Sequence, residues 1–542
     1  MTNQLSTSNT HSEEQEQDVG GALSGNQIAR AASLIMGALV LSGILGVVRQ
    51  GAISAAFGAG RELDAFYAAL RVPETLFVLV AGGALGSAFI PVFARYLAQD
   101  DFKGAWRLAS ATLSYMLLAA SVLCVVFFIF AAQIVEFILI PGADAASQAL
   151  TVELMRIMLV TVLIFGISGL VMGILNGYQH FLSPALAPSL YNIGLIFGAL
   201  VLAPEYGVHG LAWGAVFGAV LHVLIQIPAL LRLDFIQIRP TLVWQASGVR
   251  EVLLLMLPRV LGLGIVQVNF WVNAALTSSM VAGSLTALTT AFTLMFTILG
   301  ILGQSIGTAV FPTLSRLHAD GDNKGFARTL LGSLSSVMFL AIPAGIGLAV
   351  MAEPLITVLF ERGEWTPTDT QGTAWALALF SVGLAGHGVL EILARAFYAL
   401  HDTWTPVQIG IMTMILNITL SLLFIEVYPD DAEFGRGAFG ALALAMSIAT
   451  ALESTVLWIL LRRRIHLPDR DTLVNASKTL VAALIMGAVV GGFTAVVDLP
   501  ALVQLMGGVG IGILSFGAVA FVLRIDEVYR VPRQILARLG RG

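Results

Sequence analysis

Cysteine is nearly absent from this 542-residue chain: Cys124 is the single one, and it lies in an apolar run. No disulfide within one chain can brace the fold, and Cys124 reads as a small buried hydrophobe. Charge is scarce as well. Only 11% of residues are Asp, Glu, Lys or Arg, and 57% are hydrophobic, whereas a soluble domain carries roughly 25% charged residues. That balance excludes a water-soluble protein, because there is too little polar surface to cover so much apolar interior. The eight histidines show no metal-ligand spacing, so neither a metal site nor enzymatic chemistry is expected. No GxxxxGK[ST] phosphate loop occurs, and the gaps between apolar runs, about 20 residues at most, leave no room for a nucleotide-binding domain. Transport driven directly by ATP is thereby excluded, which leaves an ion gradient, the membrane potential or the substrate's own gradient. The net charge of −5 says little, because in a membrane protein the placement of charge matters more than its sum; no nucleic-acid partner and no cofactor are expected.

What the chain does have is apolar runs of the length that crosses a bilayer, about 20 residues each. They recur at 28–49, 64–97, 106–131, 149–174, 185–203, 208–231, 250–278, 283–315, 327–351, 371–400, 406–428, 436–461, 473–497 and 501–524. The sequence therefore predicts an all-α polytopic membrane protein of fourteen spans. The 55 glycines suit helices packed closely in lipid. Residues 1–27, rich in Ser, Thr, Asn, Gln and Glu, read as a disordered tail without the features of a cleaved signal peptide. The basic segment 525–542 closes the chain.

The positions of Lys and Arg give an independent check. If the amino terminus is cytoplasmic, the cytoplasmic connections hold Arg95, Lys103, Arg107, Arg232, Arg239, Arg250, Arg316, Lys324, Arg328, the run Arg462 to Arg464, Arg470, Lys478, Arg524 and the arginines beyond it. The outer connections hold only Arg49, Arg61, Arg362 and Arg436. This asymmetry predicts an even number of spans and two cytoplasmic termini.

Ionisable side chains inside spans are costly and face a partner or a water-filled path. Arg71 has Glu74 at i+3, Arg156 has Glu153 at i−3, and Arg395 has Glu391 at i−4, so each pair shares a helix face. Each pair reads either as self-neutralising packing or as part of a substrate path or gate. Arg259 follows Pro258 and has no acid at helical spacing, which suits an anionic substrate. Arg49 ends the first span near Glu62 and Asp64. Asn417 and Ser421, at i and i+4, read as a packing pair or as part of a cation site.

Several stretches resemble one known family. Leu175-Asn176-Gly177-Tyr178-Gln179-His180-Phe181-Leu182-Ser183-Pro184-Ala185-Leu186-Ala187-Pro188, with Asn192, resembles the LNxxxxFxxPAxAPxxxN signature of the MurJ/MviN family. These are lipid II flippases of the multidrug/oligosaccharidyl-lipid/polysaccharide exporter superfamily. Phe57-Gly58-Ala59-Gly60 with Asp64-Ala65-Phe66, Phe311-Pro312-Thr313-Leu314-Ser315-Arg316, Leu359-Phe360-Glu361-Arg362-Gly363, and Arg395-Ala396-Phe397-Tyr398-Ala399 followed by Asp402-Thr403 and Thr405-Pro406-Val407 resemble further family motifs in the family's order.

The resemblance implies two six-helix lobes in pseudo-two-fold arrangement, 28–231 and 250–461, rocking about a central cavity, with 473–524 as an added pair that forms a groove for a lipid tail. It implies a polyprenyl-pyrophosphate-linked peptidoglycan precursor as cargo, carried from the cytoplasmic to the outer face of the bacterial plasma membrane. Membrane lipids and cell-wall synthesis proteins would be its partners, with coupling to Na+ or to the membrane potential. A polar headgroup of that kind does not cross hydrocarbon unaided, and guanidiniums suit its pyrophosphate.

The chain also departs from the family. Where the first helix of the family reads SRxxGxxRD, this chain has Ser42-Gly43 and Arg49-Gln50. Phe77 stands at a second family arginine, Ala81-Gly82-Gly83-Ala84 lacks the family's acid, and Thr293 stands at a third arginine. The candidate substrate residues are therefore Arg49, Arg71, Arg259, Asp64 and Glu74, with Glu391 and Arg395 as a gating or packing ion pair. Four readings stay open: flipping of lipid II, a diverged paralogue flipping another lipid-linked glycan, an ion-coupled small-molecule exporter, and a silent scaffold.

Overall fold

The computed structural model describes residues 25–80, 83–233, 236–239, 241, 248–428, 434–465, 467 and 469–528. Most of the two expected tails falls outside them. Among the described residues the fold is helical throughout. In chain order the helices are α1 (Gly25–Phe57), α2 (Arg61–Val80), α3 (Gly83–Ala98), α4 (Phe102–Ile129), α5 (Ala145–Gly177), α6 (Leu182–Tyr206), α7 (Val208–Leu230) and α8 (Val249–Thr277). Then come α9 (Ser284–Ala319), α10 (Asn323–Val350), the short α11 (Ala352–Phe360), α12 (Pro367–Val382), α13 (Leu384–Ala399), α14 (Trp404–Val427), α15 (Phe439–Arg464), α16 (Arg470–Val496) and α17 (Ala501–Val522). Asp101, Asp144 and Asp322 cap the starts of α4, α5 and α10 with side-chain oxygens, satisfying N–H groups that the helices leave free.

Eleven of the described helices are long and apolar enough to cross a bilayer, or twelve if α12 and α13, bent by 45°, form one span. The fourteen expected is not reached on this measure. The two expected spans not among these, 64–97 and 250–278, lie in α2 with α3 and in α8; residues 81 and 82 and several side chains of α8 are outside the described residues, to which the count is confined. α8 carries Arg250, Glu251, Arg259, Gln267, Asn269 and Asn273 among its apolar residues. Both segments pack against each other.

Buried apolar side chains divide along the chain. One large cluster runs from Ile53 to Leu285, and two others are built on residues between Ala287 and Leu467. Val249, Val252 and Ala274 of α8 belong to the first cluster, so the first helix of the second half leans on the first half. Helices α16 and α17 pair with each other, α16 lying along α10 and α17 along α11. The closest packing joins α6 and α7. A Cβ added at Gly194 would stand 2.1 Å from the Gly218 Cα, and one at Gly214 would stand 2.5 Å from the Gly198 Cα. Small residues at four-residue spacing let two backbones touch, which in lipid replaces the hydrophobic drive to associate.

The two ends of the bundle differ. At one end lie the 58–60 turn, the 361–366 loop and the start of α9. The other end carries Arg95, Lys103, Lys324 and Arg462 to Arg464.

Candidate functional site: a polar seam between the halves

Where α1, α2 and α6 meet α8 and α9, polar side chains replace the apolar packing found elsewhere. Gln50, 2% exposed, donates to the Tyr67 hydroxyl at 2.7 Å and to Thr290 Oγ1 at 2.9 Å, tying α1 and α2 to α9. Arg71 donates to Glu74 at 3.1 Å and, across the halves, to Thr289 Oγ1 at 3.1 Å; its guanidinium lies 4.9 Å from the centre of the Phe270 ring. Next to it, the Trp271 indole donates to Thr75 Oγ1 at 2.8 Å. Arg49 donates to Asn192 Oδ1 at 3.1 Å, and Asn192 donates back to the Ser42 carbonyl at 3.2 Å. Asn192, the last residue of the longest family motif, thus fixes Arg49 within the first half.

Arg49 and Arg71 are each half-buried, and the Nε of each is buried without a hydrogen-bond partner. A guanidinium in a low-dielectric setting with an unused donor is poised for an anion. The Glu74 side chain is 43% exposed and keeps its second oxygen free of any other described partner. Arg259 lies within α8, but its side chain is outside the described residues.

Asp64 is placed differently. Its two oxygens accept from the Gly283 N–H, the Thr286 N–H and the Thr286 hydroxyl, each at 2.7 Å. Asp64 therefore caps the start of α9 from the other half of the chain, a charge-assisted arrangement at a helix N-terminus. Beside it, two family motifs meet. Gly58 and Gly363 both have positive φ, and the Glu364 N–H donates to the Ala55 carbonyl at 2.9 Å. A Cβ at Gly58 would lie 2.5 Å from the Glu364 carbonyl oxygen, and one at Gly363 would lie 2.2 Å from that of Ala55. The Ala59 N–H reaches Asp369 Oδ2 at 3.3 Å. Backbone thus locks to backbone at this end. At the opposite end a side-chain bridge joins the halves, Arg95 holding both oxygens of Glu251 at 3.2 and 2.6 Å.

Several departures from the family pattern have a structural counterpart. Thr293 turns back to the Thr289 carbonyl of its own helix, and Phe77 packs on Phe165. An added Cβ at Gly43 would meet nothing within 4 Å. Gln50 uses both of its amide hydrogens in the interhalf contact described above, where an acid could donate neither.

The remaining expectations sort clearly. Glu391 and Arg395 do pair, and Arg395 also reaches Thr308 on α9 at 3.4 Å, so this pair joins α13 to α9 within the second half. Glu153 and Arg156 do not pair. Arg156 instead lies over Phe128 and donates to its carbonyl, while Glu153 faces His209 at 2.9 Å on α7, because the two side chains point to different neighbouring helices. Asn417 and Ser421 are 3% and 1% exposed. Asn417 donates to Asn269 on α8 at 3.1 Å, and its own Oδ1 and Ser421 Oγ have no partner. Sequence reasoning missed Asn192, Thr289, Thr290, Phe270 and Asn269 as members of the seam and its flank. The threonine-rich run 286–297 on α9, and the place of Asn192 at the end of the longest family motif, were the signals available. Among the described residues no group of three His, Cys, Asp or Glu side chains is placed to hold a metal.

A family model described as "Lipid II flippase MurJ" matches residues 53–506. The lipid II flippase MurJ of Burkholderia cenocepacia is 31% identical over 465 residues, which cover 84% of this chain and 88% of that one. A probable lipid II flippase MurJ of Vibrio cholerae is also 31% identical, covering 86% and 88%. Among solved structures, a lipid II flippase MurJ in an inward closed conformation superposes with a TM-score of 0.77 at 25% identity, over 91% of this chain and 99% of that one. An inward-facing MATE transporter shares the fold alone, with a TM-score of 0.63 at 17% identity over 80% and 98%. The chain, a transporter rather than an enzyme, belongs to the lipid II flippase MurJ family.

Proposed function

We propose that this protein carries lipid II, a polyprenyl-pyrophosphate-linked peptidoglycan precursor, from the cytoplasmic to the outer face of the bacterial plasma membrane. The observation that carries the reading is the pair of half-buried guanidiniums, Arg49 and Arg71, each with an unused Nε, in the seam of a family member. Separation of the halves would expose both to a pyrophosphate, with Glu74 beside them to take a cationic or hydroxyl group of the cargo. Arg259 would add a third positive charge.

The lobes are taken as 28–231 and 250–461, with 473–524 as the groove pair and both termini cytoplasmic. The clasped end then faces outward and the basic end inward. Asn417 and Ser421, with Asn269, offer neutral oxygens for a monovalent cation, so Na+ or the membrane potential would bias the rocking. Cell-wall synthesis proteins remain the expected partners beyond the lipid.

A second reading, a paralogue for another lipid-linked glycan, is favoured by one feature: Glu74 neutralises Arg71 and Thr293 supplies no charge. Complementation decides. Growth of a strain depleted of its own lipid II flippase supports the first reading, provided that the R49A/R71A/R259A variant, expressed to the same level, fails. Growth with the triple variant would sink the role of these arginines. Failure of the well-expressed wild type would favour the paralogue.

A further inference from the structure

Away from the seam, the basic end of the bundle holds a cleft of about 800 Å³ between α10, α15, α16 and the segment after α17. Its wall on α10 is the face Lys324, Arg328, Leu331, Gly332 and Ser335. This face runs roughly 16 Å along the helix at 1.5 Å per residue, about half the thickness of the hydrocarbon core. Lys324 and Arg328 are exposed, and neither makes an ion pair or a side-chain hydrogen bond to a described residue. They stand in the first two turns of a 28-residue helix, where the helix dipole adds to their positive potential instead of offsetting it. Across the cleft stands Glu527, 5% exposed, whose Oε2 is buried without a hydrogen-bond partner. Asp471 and Asp526 line the cleft as well, Asp526 accepting from Asn475, and Arg464 lines it while paired with Asp402, so the cleft presents both signs of charge, with Lys324 and Arg328 not paired to Glu527. Deeper in, the α10 wall turns to small and apolar residues.

We propose that this cleft holds the headgroup of a zwitterionic phospholipid, phosphatidylethanolamine in chemistry. The phosphate would sit on Lys324, Arg328 and the α10 N-terminus, and the ammonium would donate to Glu527. The acyl chains would follow the apolar part of the α10 face. The charge pattern selects this ligand against its relatives. An anionic headgroup leaves Glu527 facing negative charge, and a quaternary ammonium has no N–H to give it. Lys and Arg side chains placed between helices at the membrane surface are a setting in which lipid headgroups are recognised. The site lies outside the seam, so its failure leaves the proposed transport untouched.

The test is lipid binding to the purified full-length protein, read by native mass spectrometry with phosphatidylethanolamine, phosphatidylcholine and phosphatidylglycerol. Phosphatidylethanolamine should bind roughly tenfold tighter than the other two, the consequence of leaving one charge unmatched. E527Q should abolish that preference, and K324Q/R328Q should weaken all three lipids. Equal binding of the three lipids to the wild type, or a preference retained in E527Q, would overturn the proposal. If E527Q does not fold, the exposed double variant decides, and unchanged binding there overturns it equally. Water-soluble glycerophosphoethanolamine binding as tightly as the lipid would assign the cleft to a soluble metabolite and also overturn it.

Discussion

Replacing Gly363 by Ala tests how the two halves are held at the clasped end. Gly363 sits at φ 62°, where a residue with a Cβ costs about 1–2 kcal/mol relative to glycine. The added Cβ would lie 2.2 Å from the Ala55 carbonyl oxygen, so backbone must move, and the Glu364 N–H to Ala55 bond is the first thing lost. That bond is worth about 0.5–1.5 kcal/mol. Together the change costs the clasped state about 2–3 kcal/mol, which shifts a two-state equilibrium by about 30- to 150-fold toward separation at this end. Thr290 is fully buried beneath the clasp and serves as the reporter. In a C124A background, which removes the one native thiol, T290C should react slowly with a membrane-impermeant maleimide, and adding G363A should speed it by more than tenfold. G60A is the control, because a Cβ there meets nothing within 4 Å. Labelling at the same rate with and without G363A, in protein that elutes as a single species, would refute the clasp as the lock.

Other consequences follow from the same contacts. D64N keeps the shape of the Asp64 side chain but removes charge-assisted acceptors for Gly283 and Thr286, so it should expose T290C as G363A does, by about tenfold, in the same labelling assay. Asp402, in the connection before α14, has its pKa pulled upward by burial but more strongly downward by Thr405 and Arg464, and the net shift is a lowering. Its contribution to stability is therefore complete at neutral pH. It fades only as pH falls below the ordinary carboxylate value of about 3.9 and through its own lower value. D402N should lower Tm at pH 7, and its difference from the wild type should shrink as pH falls below about 3.9, which paired thermal melts would read. G214L forces a side chain into a 2.5 Å gap against Gly198 and should destabilise the α6–α7 pair by several kcal/mol, visible as loss of folded protein on detergent extraction. If Asn417 and Ser421 hold a cation, Na+ should raise Tm in the wild type and not in N417A/S421A; equal shifts in both would remove that site.

How much of this was legible beforehand depended on the kind of signal. Apolar length located the helices, because the thickness of the bilayer fixes it. Local i, i+3 and i, i+4 spacing found the Arg71–Glu74 and Glu391–Arg395 pairs, since helix geometry alone brings them together. The same rule failed for Glu153 and Arg156, because spacing says two side chains share a face and nothing about better partners, here Phe128 and His209, on other helices. Asp64 looked like a substrate ligand because an acid in a span demands a partner. That its partners are the N–H groups of a helix more than 200 residues away depends on tertiary structure that no local pattern encodes. Gly58 and Gly363 were visible as motif letters, but their use as opposed halves of one contact appears only when the two loops meet.

Two of the fourteen expected spans, 64–97 and 250–278, hold the working parts. The helices of those two segments, α2 with α3 and α8, carry the polar side chains that meet in the seam or close its ends: Asp64, Tyr67, Arg71, Glu74 and Thr75 on α2, Arg95 on α3, and Glu251, Gln267 and Trp271 on α8. A helix facing lipid on one side and packed on the other has no reason to hold such groups, which are costly in hydrocarbon. A helix lining a path that opens to water does. The two ends then divide the labour by strength. The exposed Arg95–Glu251 bridge is weak and screened by salt, whereas the backbone clasp and the Asp64 cap combine shape, buried hydrogen bonds and charge. Separation should therefore begin at the basic end, with the clasped end as the hinge side of the first movement. High salt should accelerate labelling of a cysteine placed near Glu251 and leave T290C slow; the reverse order would mean that the seam opens from the other end.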